Sequence, residues 1–348
     1  MAIQAPASKR DRPSKDAELT IRGLESLLFE AYPAADAAGE DRIGLLVGDA
    51  EAPVRSIALA LDATVDSIEI AASYGCNVLV THHPVFWIPR ALFLREMGTS
   101  CANGAADAAA AAVYRAAERG VALIAMHTNV DCAPSAAGML LDPVGYEYVA
   151  PIALPTDLAS DLTIPAKRPD APTEAPLEAP PEASPEASPE APPEAPASPT
   201  PHASGVTRPV AGLGQLGVPR RQGHATPAPA SLAELASRYQ EAFEAVAKVW
   251  GDPEAEIEVL ATCSGGGGEL VGRVISSEAD CYVTGELPYH QAMELAAAGV
   301  ALIELGHDRS ELPYRFHMRD ALLAAGIPAD RLHIIEPTVS WWQPERTY

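Results

Sequence analysis

Apolar residues along the chain alternate between short continuous runs and stretches in which they recur every three or four positions. Leu24, Leu27, Leu28 and Tyr32 fall on one helical face, which predicts an amphipathic helix over 19–32, ended by Pro33. The runs GLLVGD (44–49) and SIALALD (56–62) read as strands, and Val65 to Tyr74 reads as a helix closed by Gly75. Asn77 to Val80 is a buried strand that Pro84 halts, since proline offers no N–H to a ladder and biases His83 toward extended backbone. An alanine-rich helix over 105–119, closed by Gly120, leads into a strand that ends at His127. Further on, Ser231 and Glu234 make a capping box that opens a helix through Trp250, with Gly251 ending it. Strands over 257–262 and 279–283, a helix ending at Gly326 and a closing strand over 332–336 complete the alternation. It predicts an α/β fold of mixed sheets flanked by helices.

Two stretches break this rhythm. From about Pro151 the composition changes, and Pro169 to Pro201 is dominated by Pro, Glu, Ala and Ser. Glutamates at 174, 178, 182, 186, 190 and 194 would line one face of a helix, but the interspersed prolines forbid it. An extended, self-repelling tether of roughly 3.1 Å per residue is expected instead. The chain thus divides into a flexible tail (1–18), a first α/β half (19–150), a disordered Pro/Glu/Ala-rich linker (151–207) and a second α/β half (208–348). Gly212-Leu-Gly-Gln-Leu-Gly217 formally satisfies the dinucleotide pattern GxGxxG, but Pro219 and two arginines follow where a helix is required. A turn in a hairpin is expected there.

Chemistry gathers at the strand ends. GCNVLVTH (75–82), GVALIAMH (120–127) and GVALIELGH (299–307) repeat one construction: a helix-ending glycine, a strand and a histidine. Asp131 follows His127 by four residues, Glu311 follows His307 by four, and the strand over 279–283 ends in TGE, with His290 four beyond Glu286. Open α/β sheets bind ligands outside the carboxyl ends of their strands, so the four tips are expected to converge. His82 and His83, adjacent on extended backbone, point in opposite directions and suit two ions or two sides of one pocket. The run SGGGGE (264–269) fits either a phosphate cradle or a plain turn, and lacks the GK[ST] ending of a P-loop.

Composition narrows the partners. With 24 Lys and Arg against 47 Asp and Glu, a net charge of -23 argues against a nucleic-acid or anionic-membrane surface. No stretch reaches the ~20 apolar residues that span a bilayer, so a cytoplasmic protein is expected. The five cysteines show no CxxC spacing and read as reduced, mostly buried thiols.

In order and spacing, VTHHPVFW (80–87), HTNVD (127–131), TGELPYHQAME (284–294) and GHDRSE (306–311) resemble the motifs of the NIF-three-like dinuclear metal-centre family. Its members are often labelled GTP cyclohydrolase I type 2 homologues. RIGLLVGD (42–49), LALDAT (59–64), GLGQLG (212–217) and CSGGGGELV (263–271) extend the resemblance over about residues 19–150 and 208–348. It implies the NIF-three-like fold and two divalent metal ions held by His82, His83, Asp131, His307 and Glu311, with His127 just behind them. It also implies a toroidal homohexamer. Arg42 departs from the family, where a Trp-Asp-Asn type sequence is common at that point, and the tether is an insertion between halves.

The donor set agrees with that implication. Three imidazoles and two carboxylates without a thiolate suit Zn, Fe, Mn or Co over Ca or Mg. Five ligands for two ions leave positions open, as a catalytic site requires. The expected function is a metal-dependent hydrolase using a metal-activated water, with GTP ring opening supplied by the family label and a nucleotide or phosphorylated small molecule as substrate. The candidate catalytic residues are His127, which would stabilise a developing oxyanion, and Glu286 and His290, which would shuttle protons or orient ligands. A non-enzymatic metal-binding hexameric scaffold and a metal-dependent phosphodiesterase are the alternatives.

Overall fold

The computed structural model describes residues 18–39, 41–87, 108–154, 212–220 and 229–338. Residues 1–17 of the expected tail, the tether over 169–201 and Cys101 lie outside them. The first part runs α1 (Ile21–Ala31), β1 (Gly44–Val47), β2 (Ile57–Ala60), α2 (Val65–Ser73), β3 (Val78–Thr81), α3 (Ala108–Arg119), β4 (Ala122–Ala125), α4 (Thr128–Asp131) and β5 (Tyr146–Ala153). The second runs β6 (Leu213–Pro219), β7 (Ala230–Ser231), α5 (Leu232–Phe243), β8 (Lys248–Trp250), β9 (Glu256–Ile257), β10 (Leu260–Gly266), α6 (Val271–Ile275), β11 (Cys281–Glu286), α7 (Tyr289–Ala297), β12 (Ala301–Glu304), α8 (His307–Glu311), α9 (Tyr314–Ala324) and β13 (Leu332–Ile334).

Two mixed sheets carry the fold, in the orders β1-β4-β3-β2-β13 and β5-β6-β10-β11-β12-β8. Within each, three consecutive strands are parallel and joined through helices: β2, β3 and β4 in one, β10, β11 and β12 in the other. Their registers place the tips side by side. Thr81 of β3 pairs with Ala125 of β4, so His82, His83 and His127 leave adjacent strand ends. Thr284 of β11 pairs with Glu304 of β12, which does the same for Glu286 and His307. One apolar cluster joins the sheets, with Val78, Val80 and Ile124 from the first and Leu260, Val283 and Ile303 from the second. All six are essentially removed from water, each stabilising by about 1.5–3 kcal/mol.

Four expectations change. The residues 212–217 form no hairpin turn: most of them lie in β6, antiparallel to both β5 and β10. Gly214 takes φ 64, and a Cβ there would stand 2.5 Å from Leu270, so its glycine serves a close approach inside the sheet. The helix opened by Ser231 stops at Phe243, because Glu244 adopts the left-handed conformation (φ 48). The remaining residues to Trp250 become edge strand β8, where Lys248 Nζ and Trp250 Nε1 reach Glu304 Oε2 at 2.7 and 3.2 Å. The closing strand is shorter than 332–336, ending at Ile334. Nor do the sheets follow the division at residue 150: β5 joins the second sheet and β13 the first. Among the described residues no helix is long and apolar enough to cross a membrane.

Candidate metal centre

The six parallel strands aim their carboxyl ends at one pocket between the two sheets. His82, fully buried, uses Nδ1 to donate to the Met126 carbonyl at 3.1 Å. A carbonyl only accepts, so the proton sits on Nδ1 and Nε2 presents its lone pair to the pocket. The other three imidazoles are tethered through the same atom. His83 Nδ1 lies 2.7 Å from Asp62 Oδ1, His127 Nδ1 2.9 Å from Asp41 Oδ2, and His307 Nδ1 3.0 Å from Glu286 Oε1. An outer acceptor fixing Nδ1 while Nε2 faces inward is the arrangement by which proteins orient histidines toward a metal.

Glu311 stands at the convergence point, delivered by α8 one helical turn after His307. Its Oε1 is 3.7 Å from His82 Nε2, and its Oε2 is 2.9 Å from His83 Nε2 and 3.3 Å from His307 Nε2. Gly265 permits this: its φ is +59 and a Cβ would meet Glu311 Oε1 at 2.1 Å. The tip of β10 therefore presses its backbone against the carboxylate, the role the glycine run plays here. Asp131, from α4, has Oδ2 3.8 Å from His82 Nε2 and accepts from Ser264 Oγ at 3.2 Å. Tyr314 stacks on His82 with ring centroids 4.6 Å apart, and its hydroxyl lies 2.8 Å from Ser264 Oγ.

Charge is concentrated in close imidazole–carboxylate pairs. Burial opposes ionisation of Glu311, but the imidazoles of His307, His82 and His83 hold its carboxyl well below the usual range. Burial likewise opposes charge on His83, yet Asp62 and Glu311 raise its pKa to about 10. Glu311 raises His307 to about 9 against its partial burial. Asp41 is desolvated, and hydrogen bonds from His127 and Thr128 still pull it down to about 2.

Two buried polar atoms stand at the centre: His82 Nε2 has no hydrogen-bond partner, and Glu311 Oε2 is met only by the imidazole Nε2 atoms of His83 and His307, at 2.9 and 3.3 Å. Leaving a buried atom such as His82 Nε2 unsatisfied costs about 1–3 kcal/mol. A cation between them would satisfy both. His82, His83 and His127 form one set whose ligand atoms lie within 4.8 Å of each other, and His83, His307 and Glu311 form a second. The residues present thus fit metal ions, and His83 belongs to both sets.

The structure brings His82, His83, His127, His307 and Glu311 together in the two sets, with Asp131 beside His82 but in neither set and Glu286 behind His307. His290 belongs to neither set; it is exposed on α7, its ring 5.8 Å from that of Tyr289. Sequence reasoning missed Asp41, Asp62, Ser264 and Tyr314. Asp62 follows parallel strand β2 as His82 follows β3, so the strand-end rule applied to SIALALD would have found it. Asp41 sits in a loop with no periodic signal. The described cysteines, Cys76, Cys132, Cys263 and Cys281, are buried free thiols and take no place in either set.

Fold and site together define an α/β protein with a histidine and carboxylate pocket able to hold metal ions between two mixed sheets. A profile of the Duf34/NIF3 (NGG1p interacting factor 3) family matches residues 19–330, and the chain belongs to that family. It is 26% identical over 299 residues to a Streptomyces coelicolor protein named GTP cyclohydrolase 1 type 2 homolog, covering 84% of this chain and 81% of that one. Among solved structures, a Staphylococcus aureus hypothetical protein superposes with TM-score 0.68 at 18% identity, over 94% of this chain and all (100%) of that one. A Bacillus cereus protein related to NIF3 gives TM-score 0.64 at 17% identity, over 95% and 100%. These two show the shared NIF3-type fold.

Proposed function

We propose that this chain is a metal-dependent hydrolase whose pocket takes two divalent ions. The observation that carries the reading is the common tethering of four imidazoles through Nδ1, with the Nε2 atoms of His82, His83 and His307 within 3.7 Å of the Glu311 carboxylate. Charge supports a pair of ions over one. Five carboxylates, Asp41, Asp62, Asp131, Glu286 and Glu311, touch the four imidazoles or lie within 4 Å of them, and two dipositive ions bring that group to within one charge of neutrality. His82, His83, His127, His307, Asp131 and Glu311 would hold the ions. When bound, such ions supply electrophilic polarisation and a nucleophilic water at neutral pH.

The chain's own residues complete the arrangement. Asp62 and Asp41 hold Nδ1 of His83 and His127, so Nε2 is the nitrogen each would offer a metal ion. Ser264 and Tyr314 fix the plane of Asp131 through one hydrogen-bond chain. Glu286 touches His307 Nδ1 and is largely exposed, which places a proton acceptor where the pocket meets water. The substrate-level reading, GTP ring opening, comes from the name of the Streptomyces relative. Purified full-length chain saturated with Zn, Mn or Fe should consume GTP and release formate. Metal-saturated protein that leaves GTP, other nucleotides and phosphoesters unchanged would contradict the proposal.

A further inference from the structure

Two side chains at one edge of the pocket have no task in the reading above. The ring of Trp87 stands edge-on to His127, with centroids 4.8 Å apart and planes at 75°. Even so, 53% of Trp87 is exposed, a large apolar surface left in water beside the reacting groups. Arg42 Nε donates to the Trp87 carbonyl at 3.5 Å. The Arg42 backbone N–H is fixed to Asp41 Oδ1 at 2.8 Å, and Asp41 in turn holds His127. Arg42 makes no ion pair among the described residues, although it is bonded in sequence to a carboxylate of the site. An exposed indole and a guanidinium without an ion pair among the described residues therefore sit together at the His127 end of the imidazole row.

The opposite end is lined differently. His83 lies between His127 and His307, with ring centroids 5.8 and 5.5 Å away. Beyond His307 opens a groove of about 510 Å³, lined by Glu269, Glu286, Leu287 and Gln291. Its two carboxylates repel an anion, while Arg42 attracts one and offers a planar, multi-donor fork that suits phosphate or carboxylate oxygens.

We propose that Arg42 and Trp87 form the recognition edge of this site for an anionic substrate with a planar portion. The plane stacks on the Trp87 ring, the guanidinium pairs with the negative group, and the uncharged remainder points toward the Glu269 and Glu286 groove. The proposal rests on the hydrolytic reading for the position of the reacting bond. Calorimetric titration of the full-length, metal-loaded chain with GTP and with guanosine tests it. R42A should weaken GTP binding about tenfold, flatten its dependence on ionic strength, and leave guanosine binding and metal content unchanged, with R42K intermediate. W87A should weaken both ligands by a similar factor, and W87F should restore most of the loss. Equal loss of GTP and guanosine in R42A, no loss in either variant, or wild-type protein that binds neither ligand would overturn it. Failure of the hydrolytic reading looks different: the Arg42-dependent preference persists while bound GTP stays unconverted.

Discussion

The two walls of the pocket are built from the same strand–histidine construction, yet they are held differently. On the wall from β3 and β4, His82 is fully buried, and the Asp41 side chain that anchors His127 is 2% exposed. On the wall from β11 and β12, His307 and its anchor Glu286 are 40% and 64% exposed. Water competes for Glu286 and is excluded from Asp41. The first wall is therefore closed at His82 and Asp41 and open to water only at Asp62, half exposed behind His83, whereas the second is open at both His307 and Glu286. Glu311 belongs to the second wall by sequence but is buried against the first, so it couples the two.

The largest expected effect comes from cutting that coupling. Zinc held by four protein ligands gains roughly 10–16 kcal/mol, or about 3 kcal/mol per ligand, so Glu311→Gln should weaken metal binding by about a hundred- to a thousandfold. Competition with a chromophoric chelator measures it. Unchanged affinity would mean that the walls bind independently. Acidity comes next. Without metal, His83 and His307 hold protons to about pH 10 and 9, and a metal ion must displace them. Affinity should therefore climb with pH below 9, about tenfold per pH unit for each proton released.

The same shifts carry a sign for stability. Both folded-state values lie above the ordinary 6.5, so their contribution is fully present below pH 6.5 and is lost as pH rises through 9 and 10. Tm of chelator-treated protein should fall across that window, while Tm of loaded protein should not. A parallel fall in both forms would show that these imidazoles do not face the ions.

Smaller effects compare the anchors directly. Asp41→Asn should cost about 10–100-fold in metal affinity, the range for orienting partners of ligating histidines. Glu286→Gln should cost less than about tenfold, since water can take its place. The reverse order would refute the contrast between the walls. Smallest of all is His290→Ala, where metal content should stay the same and stability should change by no more than about 0.5 kcal/mol, measured by denaturant unfolding.

Much of the first wall was legible because local signals fixed it. Gly75 and Gly120 close helices, the apolar runs after them are central parallel strands, and Pro84 ends the first, so His82, His83 and His127 could be placed at adjacent tips from spacing alone. The second wall was legible for the same reason at Glu286, His307 and Glu311. Hidden from the sequence was the exchange of edge strands, β5 into the second sheet and β13 into the first, a long-range pairing with no local signature. Asp41 was hidden likewise, because its contact with His127 spans 86 residues and nothing around it is periodic. Glycine misled twice: at 214 and at 265 it marks backbone pressed against a neighbour inside or beside a sheet, where the pattern alone suggested a turn or an anion cradle.

Anomalous diffraction from crystals of the full-length chain grown with zinc tests the central claim most directly. Two peaks are expected between the walls, each about 2.0–2.1 Å from an imidazole Nε2 atom. A single peak outside the pocket, or zinc bound through Nδ1 with the Asp41 and Asp62 contacts broken, would contradict it.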